Sequence, residues 1–258
     1  MKKLTLTLIA VAVCAAASAQ MKVKYLSTNT NKFQVEQLSV DGQDVQISRT
    51  LYAGYNSICL PIGLTAEGLQ NAAPGARVER LAGLRQEGST LSLFFVDCTA
   101  DGTEAGVPYL IYSPKTQIMR ARVADAKNID TEVHNITLAD GQGNSITFGS
   151  SWECINGSDQ RFGIPAKQDV EVLESVLIRT DASKMFLPTR CGVEWTQQSV
   201  TATNLDIRHY ASANTLPTGI AAVSTNQAEK HAYDLSGRRT VAPHKGIYVV
   251  DGKKTAIK

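Results

Sequence analysis

Short apolar segments recur along this chain at roughly 8 to 15 residue intervals, with Gly, Asp, Asn or Pro between them. This spacing limits the fold more than any other feature of the sequence. Connections so short leave no room for the helical crossovers that parallel strands require, so the sheets should be mostly antiparallel. The predicted class is all-β: an antiparallel β-sandwich, jelly-roll-like, with one short helix and a small C-terminal β module.

Two stretches organise the pattern. Ser57 to Leu60 reads as a buried strand stopped by Pro61, and Val107 to Tyr112 answers it about fifty residues later. Before them, Val23 and Tyr25, then Val40, Val45, Ile47 and Leu51, mark short strands, and Asp41-Gly42 suits a hairpin turn. Thr65 can cap one helix running to about Ala73, where Pro74-Gly75 ends it. Gly68 inside that helix costs ~1 kcal/mol relative to alanine. Further strands are predicted at Leu91–Val96, Ile118–Val123, Val133–Leu138, Ser145–Phe148, Trp152–Ile155, Val170–Arg179, Met185–Leu187, Cys191–Trp195 and Leu205–Tyr210. The glycine-rich link Asp140-Gly141-Gln142-Gly143-Asn144 lacks the lysine and following helix of a phosphate loop, and reads as a hairpin tip.

The ends differ from the body. Lys2 and Lys3, an apolar run from Leu4 to Ala17 and the small-x-small site Ala17-Ser18-Ala19 form the layout of a secretory signal peptide. Gln20 is then the expected mature N-terminus. Val13 is too bulky for a lipobox before Cys14, which argues against lipidation. No other stretch is apolar and long enough to span a membrane. The expected organisation is a signal peptide over 1–19, a β-sandwich over 20–210, an Ala/Ser/Thr/Asn-rich linker over 211–227 and a β module over 228–258.

Without Lys2 and Lys3, the 26 basic residues fall level with the 24 acidic ones. A neutral chain argues against nucleic acid as a general partner. The tail is net basic, with seven Lys or Arg from Lys230 onward against Glu229, Asp234 and Asp251. A solvated tail is the simplest reading of that excess. Cys59, Cys98, Cys154 and Cys191 remain after the leader, and an oxidising compartment permits disulfides. Sequence-local pairing, Cys59 with Cys98 and Cys154 with Cys191, is expected, with buried unpaired thiols as the alternative. There is no C-x-x-C to suggest zinc or thioredoxin-type chemistry.

Ser57-Ile58-Cys59-Leu60-Pro61-Ile62 and Ala105-Gly106-Val107-Pro108-Tyr109-Leu110-Ile111 resemble the T-L-C-L-P-F and A-G-K-P-Y-L-I strands of uncharacterised exported β-sandwich proteins of Bacteroidetes-type bacteria. Met185 to Val193, around Arg190, is similar to a later R-A-Y-F strand of that group. The tail resembles the C-terminal sorting domain of type IX secretion. The likeness is carried by Tyr233-Asp234-Leu235-Ser236-Gly237-Arg238-Arg239, by Lys245-Gly246-Ile247-Tyr248-Val249-Val250 and by Lys253 to Lys258. Gly237, Arg238, Lys245, Gly246 and Tyr248 are its core positions. The resemblance implies export, delivery to the cell surface or medium, and contact with export machinery through the tail. If the tail is not read, the periplasm is the expected compartment. The resemblance implies no activity.

A search for chemistry finds little. His134, His209, His231 and His244 form no metal spacing, and no cofactor is expected. Cys191-Gly192 with His209 lacks the flanking residues of a papain-like site. Gly149-Ser150-Ser151 lacks a nucleophile elbow. Glu153, Glu171, Glu174 and Glu194 are candidate acids for a hydrolase, and Asp97, Asp101 and Glu104 for a calcium loop, but no spacing singles out a set. Trp152 and Trp195, with Tyr55, Tyr109 and Tyr112, are candidates for a sugar-stacking platform, against a default of core aromatics. The expected function is non-enzymatic: an exported adhesin or a binder of glycan or surface protein. A secreted hydrolase and a structural part of a surface assembly are the alternatives.

Overall fold

The computed structural model describes residues 23–27, 32–38, 42–127, 129–164, 177–197, 202–222, 232–233, 239–240, 246–250 and 253–257. The chain is all-β with one α-helix among the described residues. In chain order the strands are β1 (Val23–Ser27), β2 (Gln43–Leu51), β3 (Gly54–Cys59), β4 (Arg77–Glu87), β5 (Thr90–Asp97), β6 (Pro108–Ser113) and β7 (Gln117–Ala126). Then come β8 (Ile136–Ala139), β9 (Asn144–Gly149), β10 (Ile155–Asn156), β11 (Arg161–Gly163), β12 (Ile178–Arg179), β13 (Met185–Phe186), β14 (Gly192–Gln197) and β15 (Asn204–Tyr210). Helix α1 (Ala66–Ala72) lies between β3 and β4, and β16 (Ala221–Ala222) follows β15.

The two organising stretches pair directly. β3 runs antiparallel to β6, with Ser57 opposite Leu110 and Ile58 opposite Tyr109. They form one side of a six-stranded sheet of order β15-β5-β4-β6-β3 with β16 added on β4. A three-stranded sheet, β1-β2-β7, and a five-stranded sheet, β12-β11-β14-β9-β8, complete the body, with β10 and β13 as a separate pair. Most pairings are antiparallel, as expected; β1–β2 and β15–β5 are parallel.

Both faces of the six-stranded sheet carry core. Ile58, Leu60, Val78, Tyr109 and Ile111 join one apolar cluster with Val45, Ile47 and Leu51 of β2 and Leu69 of α1. Cys59, Leu81, Leu93, Phe95 and Leu110 join another with Ile146, Phe148, Val193 and Trp195 of the five-stranded sheet. Adjacent residues of β3 and β6 thus face opposite cores. This is why the two strands read as continuous apolar runs rather than as alternations.

Helix α1 forms where expected. Thr65 accepts from the Gly68 N–H at 3.0 Å, and the helix stops before Pro74-Gly75. The β8–β9 hairpin is also as expected, its tip held by Asp140, which accepts from the Gln142 and Asn144 N–H groups.

Val40 and Asp41 of the expected hairpin lie outside the described residues; before them Val35 and Leu38 bury in a 3-10 turn, and β2 pairs with β1 and β7. Two expectations are corrected. The central strand β4 was not expected from sequence. The 211–227 stretch is not purely a linker, because Ala221 and Ala222 bond to Leu84 and Gly83 of β4. The expected strand over Val170–Arg179 is described only from residue 177.

In the C-terminal module, four strands follow the order β18-β17-β19-β20, with β17 (Ala232–Tyr233), β18 (Arg239–Thr240), β19 (Gly246–Val250) and β20 (Lys253–Ile257). β19 and β20 pair antiparallel. Gly246 and Tyr248 lie on β19, while Gly237, Arg238 and Lys245 lie outside the described residues.

Gly102 holds the junction beside α1. Its φ is +79°, and a Cβ there would lie 2.0 Å from the Leu64 carbonyl oxygen. Leu64 and Thr103 bond to each other through both backbone groups across this point. Gly102→Ala is expected to lower stability by more than about 2 kcal/mol. Urea denaturation checks it, and an unchanged midpoint would contradict the tight approach.

Candidate functional site

At the outer edge of β3 the sheets converge on a cleft of 330 Å³. Its floor is Arg49 of β2, Asn56 and Ser57 of β3, and Cys191. Its walls are Gly163 and Ile164, the segment Ile178-Arg179-Thr180, and the segment from Lys184 to Leu187. Arg190 closes one end. The cleft is lined by four cations, Arg49, Arg179, Lys184 and Arg190, and by no described carboxylate.

Arg49 is placed by strand period. Along β2 the inward positions are Val45, Ile47, Arg49 and Leu51, so a guanidinium occupies a slot that alternation assigns to an apolar side chain. Arg49 is only 2% exposed. Its Nη1 donates to the Thr189 carbonyl at 3.1 Å, and its Nε finds no acceptor among the described residues. Burial, with Arg190 adding repulsion, lowers its pKa to about 9. Burial also lowers that of Arg190. An arginine buried without a counter-charge is costly to fold.

The acceptor of that bond is itself unusual. Thr189 is fully buried at φ +64°, left-handed backbone that a β-branched residue seldom adopts. Its carbonyl also accepts from the Cys59 N–H at 3.0 Å, and its Oγ1 has no partner among the described residues. Backbone strain of this kind persists only where the surroundings enforce it. Here β3 and the Ser151 carbonyl do so, the latter accepting from the Thr189 N–H at 3.0 Å.

Phe186 forms a wall by lying over two glycines. Gly163 and Gly192 are directly paired between β11 and β14, and a Cβ on either would come within 2.8 Å of the Phe186 ring. Behind Phe186 and Arg190 is a smaller cavity of 140 Å³, where Arg161 donates to Glu194 at 2.7 Å. That arginine has its acid, whereas Arg49 has none described.

Cys59, Cys98 and Cys191 stand as thiols in this structure, the alternative to the expected pairing. Cys98 packs on one core of the six-stranded sheet and Cys59 belongs to the other, so local pairing would have to cross the sheet. The thiol nearest in environment to Cys59 is Cys191: the Ser150 hydroxyl serves both, and Ser57 Oγ bonds both backbone groups of Cys191. Burial pushes the Cys191 thiol up to about 12, and Cys59 also rises. Neither is a nucleophile at neutral pH.

The remaining candidates are dispersed. His209 lies against Glu79 and stacks on Tyr55, whose hydroxyl donates to the other Glu79 oxygen at 3.0 Å. It therefore belongs to a polar cluster in the six-stranded sheet and not with Cys191. Trp195 is 4% exposed, in the core beside Phe162, and donates to Asn144. Trp152 is half-buried against Phe33 and donates to the Thr131 carbonyl at 2.7 Å. Tyr55 and Tyr109 are core residues. The expected stacking platform is corrected on this ground: a buried Trp195 offers no face to a sugar. Glu153 pairs with Lys32 and Glu104 with Arg80, while Asp97 caps the Thr99 N–H. Glu171 and Glu174 lie outside the described residues. Among those described, no group of three or more His, Cys, Asp or Glu could hold a metal ion, and no helix is long and apolar enough to cross a membrane.

Comparison with family models, with curated proteins and with solved structures returns no match. The cleft is accordingly argued from its own geometry. Sequence reasoning missed Arg49, Arg179 and Lys184 as site residues. The signal that could have found Arg49 is the pattern Val45-x-Ile47-x-Arg49-x-Leu51.

Two outcomes follow from this packing. Gly192→Ala should displace the Phe186 ring and cost about 1–3 kcal/mol by overpacking, read as a lower denaturation midpoint; full tolerance would contradict the ring's placement. Iodoacetamide at pH 8 should label Cys59 and Cys191 only once denaturant is added. A bridged Cys59–Cys98 peptide in a native digest would overturn the thiol state. Because the folded Cys191 thiol titrates above its unfolded value, its contribution to stability is complete below about pH 8.5 and is lost as pH rises toward 12.

Proposed function

We propose that this is an exported, non-enzymatic binding protein of the cell surface or medium, and that it takes its ligand in the cleft beside β3. One observation carries the binding reading: an open, concave site of 330 Å³ with apolar walls and a few fixed polar groups, the usual make-up of a small-ligand site. Ile178 and Met185 are 50% and 52% exposed at its rim, apolar surface that a ligand would cover. The titratable groups favour binding over catalysis. The cleft's thiol is held neutral by burial, and the other titratable groups that line it are cations.

The export part of the proposal is supported by the leader-like start and the sorting-like tail. It predicts that protein recovered from outside the cytoplasm begins at Gln20 by mass spectrometry. An intact leader on all the recovered protein would defeat it.

The binding part is tested by a thermal-shift screen and glycan array on residues 20–258, alongside Ile178→Trp, which fills the cleft from an exposed position. A compound that raises Tm for the parent chain and not for Ile178→Trp is the expected result. Compounds that act equally on both would place the ligand elsewhere, and uniform silence would defeat the binding reading.

A further inference from the structure

We propose that the cleft's ligand is an amphiphilic anion, with a compact oxyanion seated between Arg49 and Arg190 and an apolar body lying along Ile178, Met185, Phe186 and Leu187. The inference rests on the binding reading above, and adds the ligand's charge and its orientation.

The charge follows from Arg49. A guanidinium carries five N–H donors, and among the described residues one bond is made, to the Thr189 carbonyl. Nε is buried and unpartnered among the described residues. Several other arginines meet acids: Arg80 meets Glu104, Arg161 meets Glu194, and Arg208 meets Asp206 and Glu87. Arg49 is the most deeply buried of these guanidinium groups, and it has instead a second cation, Arg190, close enough to lower its pKa. Two cations lining one site are complemented by an oxyanion. A planar guanidinium grips such a group through parallel hydrogen bonds.

The amphiphilic character follows from the walls. A small inorganic anion would leave the apolar lining from Ile178 to Leu187 uncovered. A polymer of nucleotides is a poor match for a cleft of 330 Å³ in a chain whose basic and acidic residues are nearly balanced. An apolar body attached to a carboxylate or a sulfate satisfies both parts of the site. The two headgroups share the chemistry Arg49 requires, and the test separates them.

The experiment is isothermal titration calorimetry of residues 20–258 with decanoate, decyl sulfate and 1-decanol, each below its micellar concentration. The expected result is saturable 1:1 binding of at least one anion, at least about tenfold tighter than decanol. The preferred anion identifies the headgroup. Arg49→Met should weaken that anion at least about tenfold and leave decanol unchanged. Arg190→Gln, at a half-buried position, provides the same test should Arg49→Met fail to fold by circular dichroism; a loss of several-fold is expected. Decanol binding as tightly as the anions, or both variants retaining full anion affinity, would overturn the inference while leaving the binding reading intact. Silence from all three compounds would overturn the inference, and the ligand screen with Ile178→Trp then decides the binding reading separately.

Discussion

Burial of both faces of one sheet governs this structure. β3 and β6 carry apolar side chains on each side because a three-stranded sheet and α1 cover one face and a five-stranded sheet covers the other. Leu60 and Cys59 are neighbours in sequence and belong to different cores. Each fully buried aliphatic side chain contributes about 1.5–3 kcal/mol relative to exposure. Such a strand therefore cannot slip by one residue without exchanging both cores at once, and its register is fixed from two sides.

The cleft is a consequence of that arrangement. β3 is an edge strand, and its outward side is met not by a further strand but by the 189–191 segment. Cys59 donates to Thr189, and Ser57 bonds Cys191. This segment blunts the edge against pairing with other chains. It also brings Arg190 over the end of β2, where Arg49 projects inward. Four sheets then supply one cavity: β2 the buried cation, β3 the floor, and β11 with β12 and β13 the walls. Thr189 concentrates the strain of the meeting in a left-handed β-branched residue whose carbonyl serves both Cys59 and Arg49.

Much of the fold was legible in the sequence where local and global signals agree. The β3 and β6 runs, the Thr65 cap and the Asp140 hairpin tip each have a local cause that survives into the structure. β4 was not legible, although it is central. Arg77, Glu79, Arg80, Arg85 and Glu87 give it a polar appearance, and a bulge between Leu81 and Gly83 breaks its period. Glu79 is buried there only because Tyr55 and His209, far away in sequence, satisfy it. The state of the cysteines was not legible for a related reason: closeness in sequence does not reveal on which face of a sheet a side chain falls. The cleft was the least legible part. Arg179, Lys184 and Arg190 flank two-residue strands with no period of their own, and Arg49 hides inside an otherwise regular apolar alternation.

An inward-facing arginine without an acid among the described residues is the point on which the functional reading turns. Placed there, the charge opposes folding and becomes favourable only when an anion arrives. Replacing a buried ionic group by an apolar one of similar volume is often neutral or stabilising, by about 1–4 kcal/mol. Methionine at position 49 forfeits one hydrogen bond, and the Thr189 carbonyl still accepts from Cys59. The most direct measurement is therefore the urea unfolding free energy of Arg49→Met against the parent chain, without ligand. A variant at least as stable as the parent is the predicted result. A loss of about 3 kcal/mol or more, the size expected when a buried charge loses its structural partner, would contradict it and make Arg49 part of the scaffold.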